Sequence, residues 1–119
     1  MNGPAVLVIL VGAGEASDPT TAAMDRATRA ALTDPTTVEV RESRASTPSD
    51  DEALAIGRLA HPMAIVELRW TEPTHRKAIL RVHLTEESRW VARTIPFRAS
   101  DAYAERGRTL GFAIASMLP

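Results

Sequence analysis

The chain has 119 residues, a formal net charge of −1 and no cysteine. That length gives one domain a real core and is too short for two, and a hydrophobic fraction of 45% places the chain among those that fold. The lack of cysteine excludes disulfides, thiolate catalysis and cysteine-ligated zinc, and the charge balance lacks the positive excess of a nucleic-acid binder.

Residues 6–21 read VLVILVGAGEASDPTT. The run from Ala5 to Val11 is continuously apolar and β-branched, which predicts a strand covered on both faces and central in its sheet. A signal-peptide core is the competing reading, but Met1 to Pro4 carry no basic residue to start one. Asp18 and Pro19 supply an N-cap and a proline at the first helical position, predicting a helix from Thr20 to Leu32 with an alanine-rich stripe around Met24. Thr36 to Arg41 alternates and predicts a strand near an edge. Ser49 and Glu52 form a capping box for a short helix over Asp50 to Ala60, ended by His61-Pro62. No stretch reaches the length of a membrane-spanning helix.

Three strands follow, over 63–70, 75–84 and 89–97. The links TEPT and TEES are short enough to force antiparallel neighbours. Keeping apolar side chains together sets Val82 opposite Val91, Ala78 opposite Ile95 and His83 opposite Trp90. Arg93 is the misfit: it lands on the apolar face opposite Leu80 and is expected to reach an edge or an acid such as Asp101 or Glu105. Ser100-Asp101 is read as the cap of a last helix reaching Leu118. Its stripe is Tyr103, Gly107, Leu110, Ile114 and Met117, with Glu105, Arg106 and Arg108 opposite. The expected fold is α/β (α+β): βαβαβββα, a five-stranded mixed sheet ordered 2-1-3-4-5, with the first two of three helices on opposite faces. Residues 1–119 are read as a single α/β domain, the N-terminal part of a longer protein.

Candidate chemistry is sparse. Gly12 and Gly14 follow a central strand as a phosphate loop does, and Glu39 or Glu42 stands near a ribose-binding position. Against this, Asp18-Pro19 and Glu15 put negative charge and a missing amide where the anion would sit. His75 and His83 share a strand but lie too far apart for one metal, and His61 sits in a turn. Glu15, Asp18 and Asp101 could gather at strand ends, yet two of them serve as caps. No serine has an elbow motif. No catalytic, cofactor-binding or metal-binding residue is assigned. The outer face of the three-stranded meander carries Arg69, Arg81, His83 and Trp90, a mixed basic and aromatic surface suited to a protein or peptide partner; a covering helix is the alternative. Gly107 and Gly111 weaken a helix unless a backbone approaches closely. Approach to the sheet is one reading, and contact with a second copy, giving a homodimer, is the other.

The order of elements, with AIVELRW, KAILRVHL and RWVARTIPF as a meander and DAYAERGRTLGFAIASML as a closing helix, resembles the amino-terminal domain of TolB and the α/β domains of CsgG-like and FlgO-like envelope proteins. It is also similar to uncharacterised myxobacterial envelope domains. The resemblance implies a non-enzymatic interaction or scaffolding module of the cell envelope or periplasm, with the cytoplasm left open, and it carries over no catalytic residue. The rival is a small-ligand or nucleotide-binding domain using the loop around Gly12 and Gly14. A protein or peptide partner is expected, with no nucleic acid and no membrane insertion by this segment.

Overall fold

A computed structural model describes residues 5–119; Met1 to Pro4, where a basic leader start is missing from the sequence, lie outside the described residues. In chain order the elements are β1 (Ala5–Val11), α1 (Pro19–Ala31), β2 (Thr36–Glu42), α2 (Asp50–Ala60), β3 (Ala64–Trp70), β4 (Lys77–Leu84), β5 (Arg89–Pro96) and α3 (Tyr103–Met117). They build one five-stranded sheet ordered β2-β1-β3-β4-β5. β1 runs parallel to both β2 and β3, and the meander pairs antiparallel. This is the expected α/β architecture. The register also matches, with Val82 opposite Val91, Ala78 opposite Ile95 and His83 opposite Trp90.

Side-chain alternation splits the core in two. Leu7, Ile9 and Val11 face one side with Met24 of α1 and Leu110 and Ile114 of α3. Val8, Leu10 and Ile65 face the other with Ala53 of α2. β1 is central because every residue from Leu7 to Val11 is fully buried.

Local chemistry sets the helix starts. The Asp18 carboxylate accepts the Thr20 N–H at 2.9 Å, with Pro19 at the first helical position. Ser49 Oγ accepts the Glu52 N–H at 3.2 Å, while the Glu52 carboxylate accepts from Ser43 Oγ at 2.5 Å and so leaves the capping box half made. α2 ends at His61, whose left-handed backbone (φ 47°) turns the chain into Pro62.

Three expectations are corrected. Ala102, not Asp101, occupies the N-cap of α3, without a side-chain bond; the Asp101 carboxylate instead accepts the Arg98 N–H at 2.8 Å, closing the turn before the helix. His75 lies in the loop ahead of β4 with φ 57°, off the strand that carries His83. Within the predicted stripe of α3, Tyr103 is 63% exposed while Arg106 is buried. Arg106 spreads its guanidinium over carbonyls of His75, Arg98, Ala99 and Asp101.

α3 rests mainly on α1 and only lightly on the sheet. A Cβ added at Gly107 would stand 2.6 Å from the Thr20 carbonyl oxygen and 2.7 Å from the Met24 nitrogen. At Gly111 it would stand 2.8 Å from the Thr28 nitrogen. The close approach inferred from these glycines is therefore to α1 rather than the sheet. One consequence positions the site: with α3 drawn toward α1, no residue of β5 is buried.

Candidate functional site

The strand-end loop is filled by the chain's own acids. The Gly12 N–H donates to Glu15 Oε1 at 2.8 Å. The Gly14 N–H, at a residue with φ 81°, donates to Glu42 Oε1. Two carboxylates thus occupy amides that a phosphate would need. Beside them the His75 ring stacks on Trp70, centroids 4.3 Å apart and 7° between planes. Its nitrogens lie 3.4 Å from Glu15 and 3.9 Å from Asp18. The loop is an acidic, self-satisfied corner.

On the meander face, Arg69, Arg81, His83 and Trp90 do come together. Arg81 lies 4.8 Å over the Trp90 ring, and the His83 ring is 4.9 Å from it. The two arginines are already engaged. Arg81 grips Asp50, at the start of α2, through two bonds of 2.9 and 2.6 Å. Arg69 bridges Asp50 and Glu67. The hydrogen bond from Arg81 holds Asp50 down to about 2. Burial, with the neighbouring Asp50 carboxyl, pushes Glu67 up to about 7 despite Arg69. Among the described residues Glu67 Oε2 is buried without a hydrogen-bond partner. The face is a wired junction between α2 and the sheet, and its arginines lack free charge to offer. Gly107 and Gly111 are likewise spent within the chain, since α1 fills the space a second copy would need.

The surface left open is the edge of β5. The Phe97 N–H donates to the Arg76 carbonyl at 2.7 Å, one step beyond the Lys77–Pro96 pair. Hydrogen-bonded pairs alternate along an antiparallel ladder. Ile95, Arg93, Val91 and Arg89 therefore bond to β4, while the N–H and C=O groups of Trp90, Ala92 and Thr94 point outward. The other side of β4 agrees: the Thr71 N–H donates to the Lys77 carbonyl, which assigns Ile79, Arg81 and His83 to β3. The opposite edge of the sheet is partly closed, because Arg29 of α1 donates to the Val38 carbonyl of β2 at 2.6 Å.

Two shallow hollows flank β5 on its α3 side. One, of about 470 Å³, lies among Arg93, Ile95, Phe112 and Ala113; the other, of about 540 Å³, among Arg89, Val91, Arg93 and Met117. Phe112 is 53% exposed. Of the two expectations for Arg93, the edge holds, since β5 is the margin of the sheet; in place of an acid such as Asp101 or Glu105, its Nη1 donates to Ser116 Oγ at 3.0 Å. The sequence held one signal for this site: the last strand of the predicted order carries a charge on its apolar face.

No family model and no curated protein matches the chain. A solved structure that does match is described as a threonyl-tRNA synthetase of Aeropyrum pernix. It is 18% identical with a TM-score of 0.49, and the match covers 98% of this chain but 26% of that one. The expected kinship with TolB, CsgG-like and FlgO-like domains is corrected: the structure that matches carries a threonyl-tRNA synthetase description instead. The envelope-scaffolding role and the periplasmic location rested on that kinship alone and are set aside with it. Shared topology was the whole of the resemblance, and one topology hosts unrelated functions. For the same reason no activity passes from the synthetase to this chain.

Proposed function

We propose that this domain binds an extended polypeptide segment, which adds to the sheet as a sixth strand beside β5. The observation that carries the reading is the outward row of backbone groups on Trp90, Ala92 and Thr94, on a strand with no buried residue. Such a row is a template for strand addition: main-chain bonds supply affinity, and side-chain hollows on alternate positions supply selectivity. The hollows beside Phe112 and Ile95 lie where every second side chain of an added strand would fall. Pro96 has no N–H to offer, so the added strand gains its donors from Trp90, Ala92 and Thr94.

The test uses peptides of about ten residues, long enough to match the strand, selected against the domain from a random display library. Ala92→Pro removes only a donor that faces outward, so pairing with β4 survives. Affinity for the selected peptide should fall about tenfold, the value of one hydrogen bond, while the circular-dichroism melting curve stays close to the parent's. A selected peptide bound equally well by Ala92→Pro would sink the reading.

A further inference from the structure

Resting on the strand-addition reading, we infer that the segment joining β5 is acidic on one face: it places a carboxylate opposite Arg93 and an apolar side chain in the hollow beside Ile95 and Phe112. Val91, Arg93 and Ile95 share the α3 side of the strand, because successive side chains alternate. Arg93 is exposed there, between two apolar neighbours, and among the described residues its side chain bonds only a neutral hydroxyl, Ser116 Oγ. Ser116 Oγ in turn donates to the Ala113 carbonyl at 2.7 Å, which leaves the hydroxyl oxygen facing the guanidinium. Arg93 is thus anchored by one donor with the rest of its fork open.

The charge lining the two hollows has one sign. The residues lining the two hollows include Arg89 and Arg93 and no carboxylate. Arg89 is paired with Glu87, whereas Arg93 makes no ion pair among the described residues. A side chain directly opposite on an added strand lies about 5 Å away, Cβ to Cβ, within reach of a bidentate carboxylate–guanidinium contact. On the other face of β5, Arg81 above Trp90 is already bound by Asp50, and Lys77 stands at the far end of the strand, opposite Pro96. At the middle of the strand acid recognition therefore belongs to the α3 side.

The same arginine opposes the obvious wrong partner. Two copies of this chain paired edge to edge and antiparallel would bring two uncompensated Arg93 side chains to one face. Like charges there disfavour self-pairing, while a carboxylate is favoured, so one residue serves both attraction and exclusion.

Three peptides of alternating threonine and valine, identical except for one central Glu, Gln or Lys, are titrated against the domain, with Trp90 fluorescence as the readout. The Glu peptide should bind about fivefold tighter than the Gln peptide, the size of an exposed ion pair, and the Lys peptide weakest. Arg93→Gln should erase the Glu-over-Gln preference. If the Glu and Gln peptides bind alike and Ala92→Pro weakens both, strand addition stands and the acidic preference is overturned. If no peptide binds, the strand-addition reading falls and this inference with it. If the protein instead dimerises through β5, seen as a sedimentation coefficient that rises with concentration and drops in Ala92→Pro, the occupant is a second copy and the inference is wrong.

Discussion

Glu67 is fully buried in β3 with one carboxylate oxygen unpartnered, beside Asp50 at the start of α2. Its ionisation sets a pH dependence whose sign follows from linkage. The folded value, about 7, lies above the ordinary 4.5, so the contribution to stability is full below 4.5 and is lost as pH rises through 7. Asp50, held at about 2, behaves oppositely: its contribution is present above its ordinary value and disappears as pH falls through 2. Between pH 5 and pH 8.5 the domain should therefore lose about 2.5 kcal/mol through Glu67. Glu67→Gln should abolish that slope, matching the parent near pH 5 and exceeding it at pH 8.5 in urea unfolding. A parent curve flat across this range would show that Glu67 titrates normally. Arg106 makes a second test. Its planar fork meets several carbonyls at once, and Arg106→Lys, which keeps the charge but not the fork, should cost about 2–4 kcal/mol in the same assay.

Among the helices, α3 shows what pattern alone reveals and what it does not. Steps of three and four mark its far end and the inner part of its stripe, Gly107, Leu110 and Ile114, but not its cap, which is Ala102, nor the exposure of Tyr103; the strands are readable because one register keeps their apolar side chains on a common face. Gly107 and Gly111 announce a close approach without naming the element that approaches; α1 and the sheet are equivalent in one dimension. From that ambiguity comes the missed exposure of β5, since which strand a helix leaves bare depends on where the helix lies. Glu67 shares the outer meander face with Arg69 by alternation, yet it is fully buried between β1 and β4 and beside Asp50 at the start of α2. The charge of the glycine loop argues against a phosphate, yet the linear order does not show that Glu42, so far along the chain, fills the Gly14 amide. Gly111→Ala tests the helix contact. The new methyl would meet Thr28 and Met24 backbone atoms that cannot step aside, so a net loss of about 1–2 kcal/mol is expected after the gain in helix propensity. Its sedimentation should be unchanged, because the contact is internal to the chain.

Taken together, these elements make a sheet with two unlike margins. At β2, Arg29 caps an outward carbonyl and closes part of the edge. At β5, the ladder ends in open donors and acceptors beside an exposed phenylalanine and an arginine held by a hydroxyl alone. The acids that might have formed a ligand pocket at the strand ends are consumed in loop geometry, and the arginines of the meander face are consumed in fixing α2. What remains available is backbone, which favours a partner that is itself backbone. Residue-resolved amide hydrogen exchange, with and without a selected peptide, puts this to the most direct test. The amides of Trp90, Ala92 and Thr94 should exchange freely in the isolated domain and slow together on binding, while those of Val91, Arg93 and Ile95 are slow in both states. Protection of the first set before any peptide is added, or peptide-induced protection at the strand ends around Gly12 instead, would contradict the account.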